Sequence, residues 1–265
     1  MTILIKGSGD LASGIALRLH HARFSIVMTE LSSPYSVRRP VCFSQAVYAG
    51  HCTVEDVKAV LVKDEAGIRE AIHNKEIAVL VDPDAAIVKK LKADVLVDAI
   101  VAKRNTGTSL DDAPLVIGIG PGFTVGVDCH AVVESQRGHT LGRVITQGSA
   151  LSNTGIPGDI GGFSTERLLR CSADGLFEEV AAIGDRVKKN QTVALVRSSA
   201  DGKEFPIKAS IDGTLRGLLP TGILVKKGKK AGDVDPRCER EHCFTVSDKA
   251  LAVGGGVLEA ILRLF

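Results

Sequence analysis

The chain has no tryptophan and only two tyrosines among 265 residues. Aromatic residues make up 4% of it. That scarcity argues against a nucleic-acid surface built on base stacking, and against an aromatic sugar platform. No charge of one sign dominates, since 33 basic against 31 acidic side chains leave a formal net charge of +2. Such a balance gives no electrostatic reason to expect nucleic acid or an anionic membrane as partner. No apolar run is long enough to span a bilayer. The chain opens directly on a strand pattern, which reads as a protein without a signal peptide and cytoplasmic in location. Its six cysteines are scattered rather than framed in pairs, so free thiols are expected. There is no Walker motif and no His-Glu-x-x-His zinc helix. Cys238, His242 and Cys243 form one close cluster, but zinc needs about four ligands and no second pair is suitably spaced, so no metal site is assigned.

What is present begins at the first residues. A short apolar run, Thr2 to Ile5, leads into Gly7-Ser8-Gly9-Asp10-Leu11-Ala12-Ser13-Gly14. A helical pattern from Leu11 to His21 follows, then a second apolar run from Phe24 that ends near Glu30. Strand, glycine turn, helix, strand and acid is the order of a dinucleotide-binding βαβ unit. In that reading Gly7 makes the tight turn, Gly9 lets a pyrophosphate approach, and Ala12 lets helix pack on strand. Glu30, about 20 residues on, takes the ribose hydroxyl. NAD(P) is the cofactor this pattern points to. The same turn also occurs in related domains that bind no nucleotide.

Strand and helix patterns alternate up to residue 101. Lys58 to Val62, Ile77 to Val81 and Asp94 to Val101 read as strands; Ala66 to His73 and Ala85 to Leu91 read as helices. Near-continuous apolar strands between helices imply a parallel sheet covered on both faces. Asp98 lies within a strand; Asp82, Lys103 and Arg104 fall at strand ends, where open α/β sheets place their ligands, and each reads equally as an exposed loop salt bridge. Arg38 and Arg39 follow the candidate ribose acid, and either hold an anionic group or decorate a solvated loop.

Eleven of the 28 glycines lie between Gly118 and Gly162. Turns of this density expose backbone amides and form either an anion-binding cleft or hairpin corners. Arg137 and Arg143 sit among them and are candidates for gripping an anion. Cys129, beside Asp128 and His130, is the candidate nucleophile, set against its reading as a small buried hydrophobe. Beyond residue 165, short strands separated by Gly-Asp and Asp-Gly turns suggest a small β domain resembling biotinyl and lipoyl domains. Lys203 lacks the flanking methionines of a carrier lysine. Asn190 stands where such turns usually have glycine, and asparagine tolerates the left-handed conformation.

The expected fold is therefore α/β: a Rossmann-like parallel sheet over residues 1–114, a glycine-rich connecting region over 115–165, a biotinyl/lipoyl-like barrel-sandwich over 166–246, and a closing turn and helix over 247–265. Six segments come in one order: 7–14, 118–123, 137–144, 153–158, 232–237 and 247–256. Together they resemble the YqeB family of selenium-dependent molybdenum hydroxylase accessory proteins. The N-terminal part is also loosely similar to XdhC-type maturation factors. The resemblance implies a role in maturing enzymes of the xanthine dehydrogenase type, with the molybdenum cofactor as a handled ligand. Its expected partners are the hydroxylase apoenzyme or other maturation factors, with a homo-oligomer left open. Arg137 and Arg143 would then hold a molybdopterin phosphate, and Cys129 would carry selenium or sulfur. Two alternatives stand beside it. One is a self-contained NAD(P)-dependent oxidoreductase, with Lys103 or His130 as proton donor; the other is a non-catalytic scaffold.

Overall fold

A computed structural model describes all 265 residues. They divide into two units. The first is Met1–Pro34, Val41–Thr154 and Val246–Phe265; the second is Tyr35–Pro40 and Gly155–Thr245.

The first unit runs β1 (Thr2–Lys6), α1 (Asp10–His21), β2 (Ser25–Glu30), α2 (Gln45–Ala49), β3 (His51–Val54), β4 (Val57–Val62), α3 (Glu65–His73), β5 (Ile77–Val81), α4 (Ile87–Leu91), β6 (Val95–Asp98), β7 (Leu115–Ile119), β8 (Ala131–Val133), β9 (Val144–Ile145) and, from the far end of the chain, α5 (Asp248–Leu264). Its nine strands form one sheet in the order β3-β4-β5-β2-β1-β6-β7-β8-β9. Pairing is parallel from β4 through β8 and antiparallel at both edges, β3 with β4 and β8 with β9.

Strand periodicity sends alternate side chains to opposite faces. Ile3, Ile5, Met28, Val97 and Ile117 join one buried core with Ile15 and Leu19 of α1 and Val253 and Val257 of α5. Leu4, Val27, Leu96 and Val116 join the other, under Ile68 of α3, Val88 of α4 and the loop residues Phe123 and Cys129. Each fully buried Ile or Leu contributes about 1.5–3 kcal/mol relative to exposure.

The second unit is entirely antiparallel. It contains β10 (Leu168–Arg170), β11 (Gly175–Glu179), β12 (Arg186–Val187), β13 (Thr192–Ser198), β14 (Glu204–Lys208), β15 (Gly213–Leu218), β16 (Leu224–Val225) and β17 (Lys230–Asp235). They make two four-stranded sheets, β10-β17-β15-β12 and β14-β13-β11-β16. Phe177, Val193, Val196, Leu215 and Val234 belong to their common core. No helix of the chain is long and apolar enough to cross a membrane.

This architecture corrects the fold expected from the sequence, a Rossmann-like parallel sheet with a biotinyl/lipoyl-like barrel-sandwich. The sheet is mixed, and its helices are few. Between β6 and β7 there is only a single 3-10 turn, and between β7 and β8 there is no helix at all. Beyond β6 the sheet is therefore extended without crossover helices. In the second unit, Gly-Asp turns recorded where strands end, but such turns do not specify which strands pair.

Candidate functional site

Local geometry explains the N-terminal turn without a nucleotide. Gly7, at φ +91°, turns the chain after β1. Ser8 then donates twice to the Glu30 carboxylate, from its amide at 2.9 Å and its hydroxyl at 2.7 Å. The Leu31 amide donates to the other Glu30 oxygen at 2.8 Å. Behind this clasp, the Ser13 hydroxyl donates to the Ser8 carbonyl and accepts from the Phe43 amide. Glu30 therefore ties the glycine turn to the end of β2. A carboxylate that accepts three local donors has little left for a ribose. In the expected dinucleotide site of Gly7, Gly9, Ala12 and Glu30, three acceptor positions of the acid are thus taken by local donors. Ala12 packs into the core, and Gly9 is the residue before α1.

The two basic residues after β2 are also structural. Both belong to the second unit, where Arg38 donates to the carbonyls of His242 and Thr245. Arg39 donates to the Leu218 carbonyl and pairs with Glu179.

Cys129 is fully buried in the core on the α3 and α4 side. Burial pushes its thiol up to about 11; the backbone of Gly118 and Ala131 opposes the shift, while Asp128 and Asp98 add to it. A thiol held protonated in this way is not a nucleophile at neutral pH, which corrects its assignment as catalytic. The native protein is expected to leave Cys129 unalkylated by iodoacetamide at neutral pH, with labelling appearing only on unfolding; mass spectrometry reads this directly. The His130 ring accepts the Val116 amide at Nδ1, 2.9 Å away, and its own amide donates to the Val116 carbonyl. Asp82 accepts the Ile87 amide at the start of α4.

Three of the six ordered segments do meet. α1 and α5 lie side by side and parallel, so their amino ends coincide. A Cβ on Gly14 would stand 2.5 Å from that of Ala250, which lets α5 approach α1. A Cβ on Gly256 would stand 2.1 Å from the Gly142 carbonyl oxygen, which seats the 137–144 loop against α5. At the shared end, Arg137 makes a two-pronged ion pair with Asp248, at 2.8 and 2.9 Å. Glu134 is buried, and its carboxylate accepts the amides of Gln136 at 2.7 Å and Leu151 at 2.8 Å. Its backbone is paired with Gly142 and Arg143. The Arg143 side chain is exposed.

Lys249, in the first turn of α5, was not singled out from the sequence as a site residue. Burial pushes its ammonium below the ordinary lysine range, and Arg137 adds to the shift; Asp10, Glu134 and Asp248 oppose it. The α5 amino end, with its positive partial charge, is also an unfavourable place for a cation. A lysine in the first turn of a helix, where acids are preferred, was the available sequence signal. Two cations and two helix amino ends thus gather beside three carboxylates, of which Glu134 and Asp248 are already committed to protein donors. Such a set can receive an anion. No group of three or more His, Cys, Asp or Glu is placed to hold a metal ion.

The fold and this cluster define a two-unit protein: a mixed α/β sheet with a basic site at paired helix ends, and an antiparallel β unit. No family model matches the chain. Over 262 residues it is 47% identical to "Uncharacterized protein YqeB" of Escherichia coli strain K12, covering 99% of this chain and 47% of that protein. The chain is a homologue of that YqeB protein over the part the two share, and it spans about half the length of that curated relative. Solved structures with partial likeness include an aspartoacylase family protein from Mesorhizobium loti, 12% identical, covering 89% of this chain and 84% of that one at a TM-score of 0.29. Another is a succinylglutamate desuccinylase/aspartoacylase from Rhodobacter sphaeroides, 16% identical, covering 88% and 84% at 0.30. A third is the ectoine utilization protein EutE (DoeB) from Ruegeria pomeroyi, 15% identical, covering 79% and 57% at 0.27. At such TM-scores the likeness carries no argument about this chain's activity. None of these names mentions a molybdenum hydroxylase.

Proposed function

We propose that this chain is part of an accessory protein that matures molybdenum hydroxylases of the xanthine dehydrogenase type. Its role is to hold an anionic group of the cofactor, such as the molybdopterin phosphate, at the common end of α1 and α5. The observation that supports this reading is the meeting of segments 7–14, 137–144 and 247–256 through close glycine contacts, with Arg137 and Lys249 at their junction and Arg143 exposed in the second segment. Segments whose order carries the resemblance are the ones that build the basic cluster. Lys249 is the better anion partner of the three, because Arg137 is already held by Asp248. Arg143 adds a second, exposed charge.

The test replaces both free cations in the complete protein. Arg143→Ala with Lys249→Ala is expected to leave the melting transition nearly unchanged, since neither residue is in a core. Loss of one charge-assisted contact is worth about 1.5–3 kcal/mol, so activation of a co-produced hydroxylase is expected to fall by about tenfold or more. Full activation by the double variant contradicts the assignment of the site. Turnover of a small substrate by the protein alone contradicts the accessory role.

A further inference from the structure

The face of the first unit's sheet opposite α1 and α5 carries a second polar site. Lys6 ends β1 on that face, after Ile3, Leu4 and Ile5, and is only 5% exposed. A lysine is almost never buried to this degree unless it is paired. Its ammonium donates to Thr108 Oγ1 at 2.8 Å and lies 3.5 Å from Asp98 Oδ2. Thr108 in turn donates to the same Asp98 oxygen at 2.6 Å, and the other Asp98 oxygen accepts the Ile100 amide. All three side chains are buried. Asp98 and Thr108 therefore balance the charge of Lys6. They do not use all its donors, because an ammonium has three N–H groups.

Lys6 also lines a cavity of about 270 Å3 between α4 and the loop that follows β6. That volume lies just under the usual range for small-molecule sites, about 300–1,000 Å3, so the occupant is small. The wall presents Asp84, Lys89 and Asp112 along with Lys6, and its remaining surface is largely small or apolar, as at Ala86. Two wall residues, Ala85 at φ +53° and Gly107 at φ +107°, hold left-handed backbone, and so does the β-branched Val101, at +56°, in the same loop. Backbone of this kind is costly outside glycine and concentrates at ligand-holding segments.

We propose that this cavity binds a small amino-carboxylate. The carboxylate sits against the spare donors of the Lys6 ammonium; the ligand's own ammonium faces Asp84 and Asp112. A simple anion would meet Asp84 and Asp112, and a simple cation would meet Lys6 and Lys89. Only a molecule carrying both charges satisfies both sides of the wall. The site lies across the sheet from Arg143 and Lys249 and does not depend on them.

Calorimetry with β-alanine as the probe tests this on the intact protein, with acetate and ethylammonium as its two halves. β-Alanine is expected to bind, and each half to bind at least about tenfold more weakly. Lys6→Met is expected to abolish binding. Because Lys6 is part of a buried pair, Ala86→Phe serves as the second variant: it adds bulk at an exposed residue of the cavity wall and removes no charge. It is expected to fold normally, as read by its melting transition, and to lose β-alanine. No binding by the native protein at millimolar probe overturns the proposal. So does equal binding of either half, or undiminished binding by Ala86→Phe.

Discussion

Lys6→Met is expected to lower the unfolding free energy by about 3–5 kcal/mol, the cost of leaving one partner of a buried ion pair uncompensated. The residue stranded is Asp98, 1% exposed, which keeps the Thr108 hydroxyl and the Ile100 amide but loses its only countercharge. The methionine chain fills nearly the same space as the lysine stem, so packing alone accounts for little of the loss. A second substitution separates the two effects. Lys6→Met with Asp98→Asn removes both charges and is expected to recover most of the stability, because a buried pair replaced as a unit is often nearly neutral. Urea titrations of the native protein and the three variants measure the coupling. A double variant as unstable as the sum of the two singles would show that the pair does not act as a unit.

Adjacent glycines in α5 are expected to respond in opposite directions. A Cβ on Gly256 would stand 2.1 Å from the Gly142 carbonyl oxygen and 2.7 Å from Val133 Cγ1. The first obstacle is backbone, which cannot rotate away. Gly256→Ala is expected to cost about 1–3 kcal/mol through forced separation of α5 from the 137–144 loop. Gly255 has nothing within 4 Å of the same position. There alanine removes the helix penalty of glycine, about 1 kcal/mol, and is expected to stabilise by about that amount. Both substitutions have the same propensity gain, so the difference between their melting transitions isolates the close approach. Similar effects at both positions would remove the basis for treating α5 as clamped by that loop.

The sequence is most legible where local chemistry decides. Ile77 to Val81 is apolar and β-branched, and it forms β5 over those residues. The apolar spacing of Leu11 to His21 forms α1, which starts one residue earlier. Asn190 adopts φ +69°, the left-handed turn its side chain tolerates. Legibility fails where a side chain chooses among distant partners. Glu30 stands at the spacing of a ribose acid, yet spacing does not say whether the carboxylate faces outward, and the Ser8 amide and hydroxyl capture it. Arg38 reads as an anion grip but spends its guanidinium on carbonyls of His242 and Thr245. Nothing near Lys6 in the chain announces Asp98 or Thr108. Strands of three and two residues, such as β8 and β9, are too short to show a period, so the mixed edge of the sheet escaped the pattern that implied a parallel one. Lys249 was visible only as an ill-placed cation at the start of a helix.

The most direct test of the accessory role is the specific activity of a xanthine dehydrogenase-type hydroxylase purified from cells with and without the intact protein, alongside its molybdenum content. The proposed function predicts that hydroxylase made without the protein has low activity, and that activity returns when the native protein is supplied but not the Arg143→Ala, Lys249→Ala variant. Equal activity and equal molybdenum content in both preparations would contradict it.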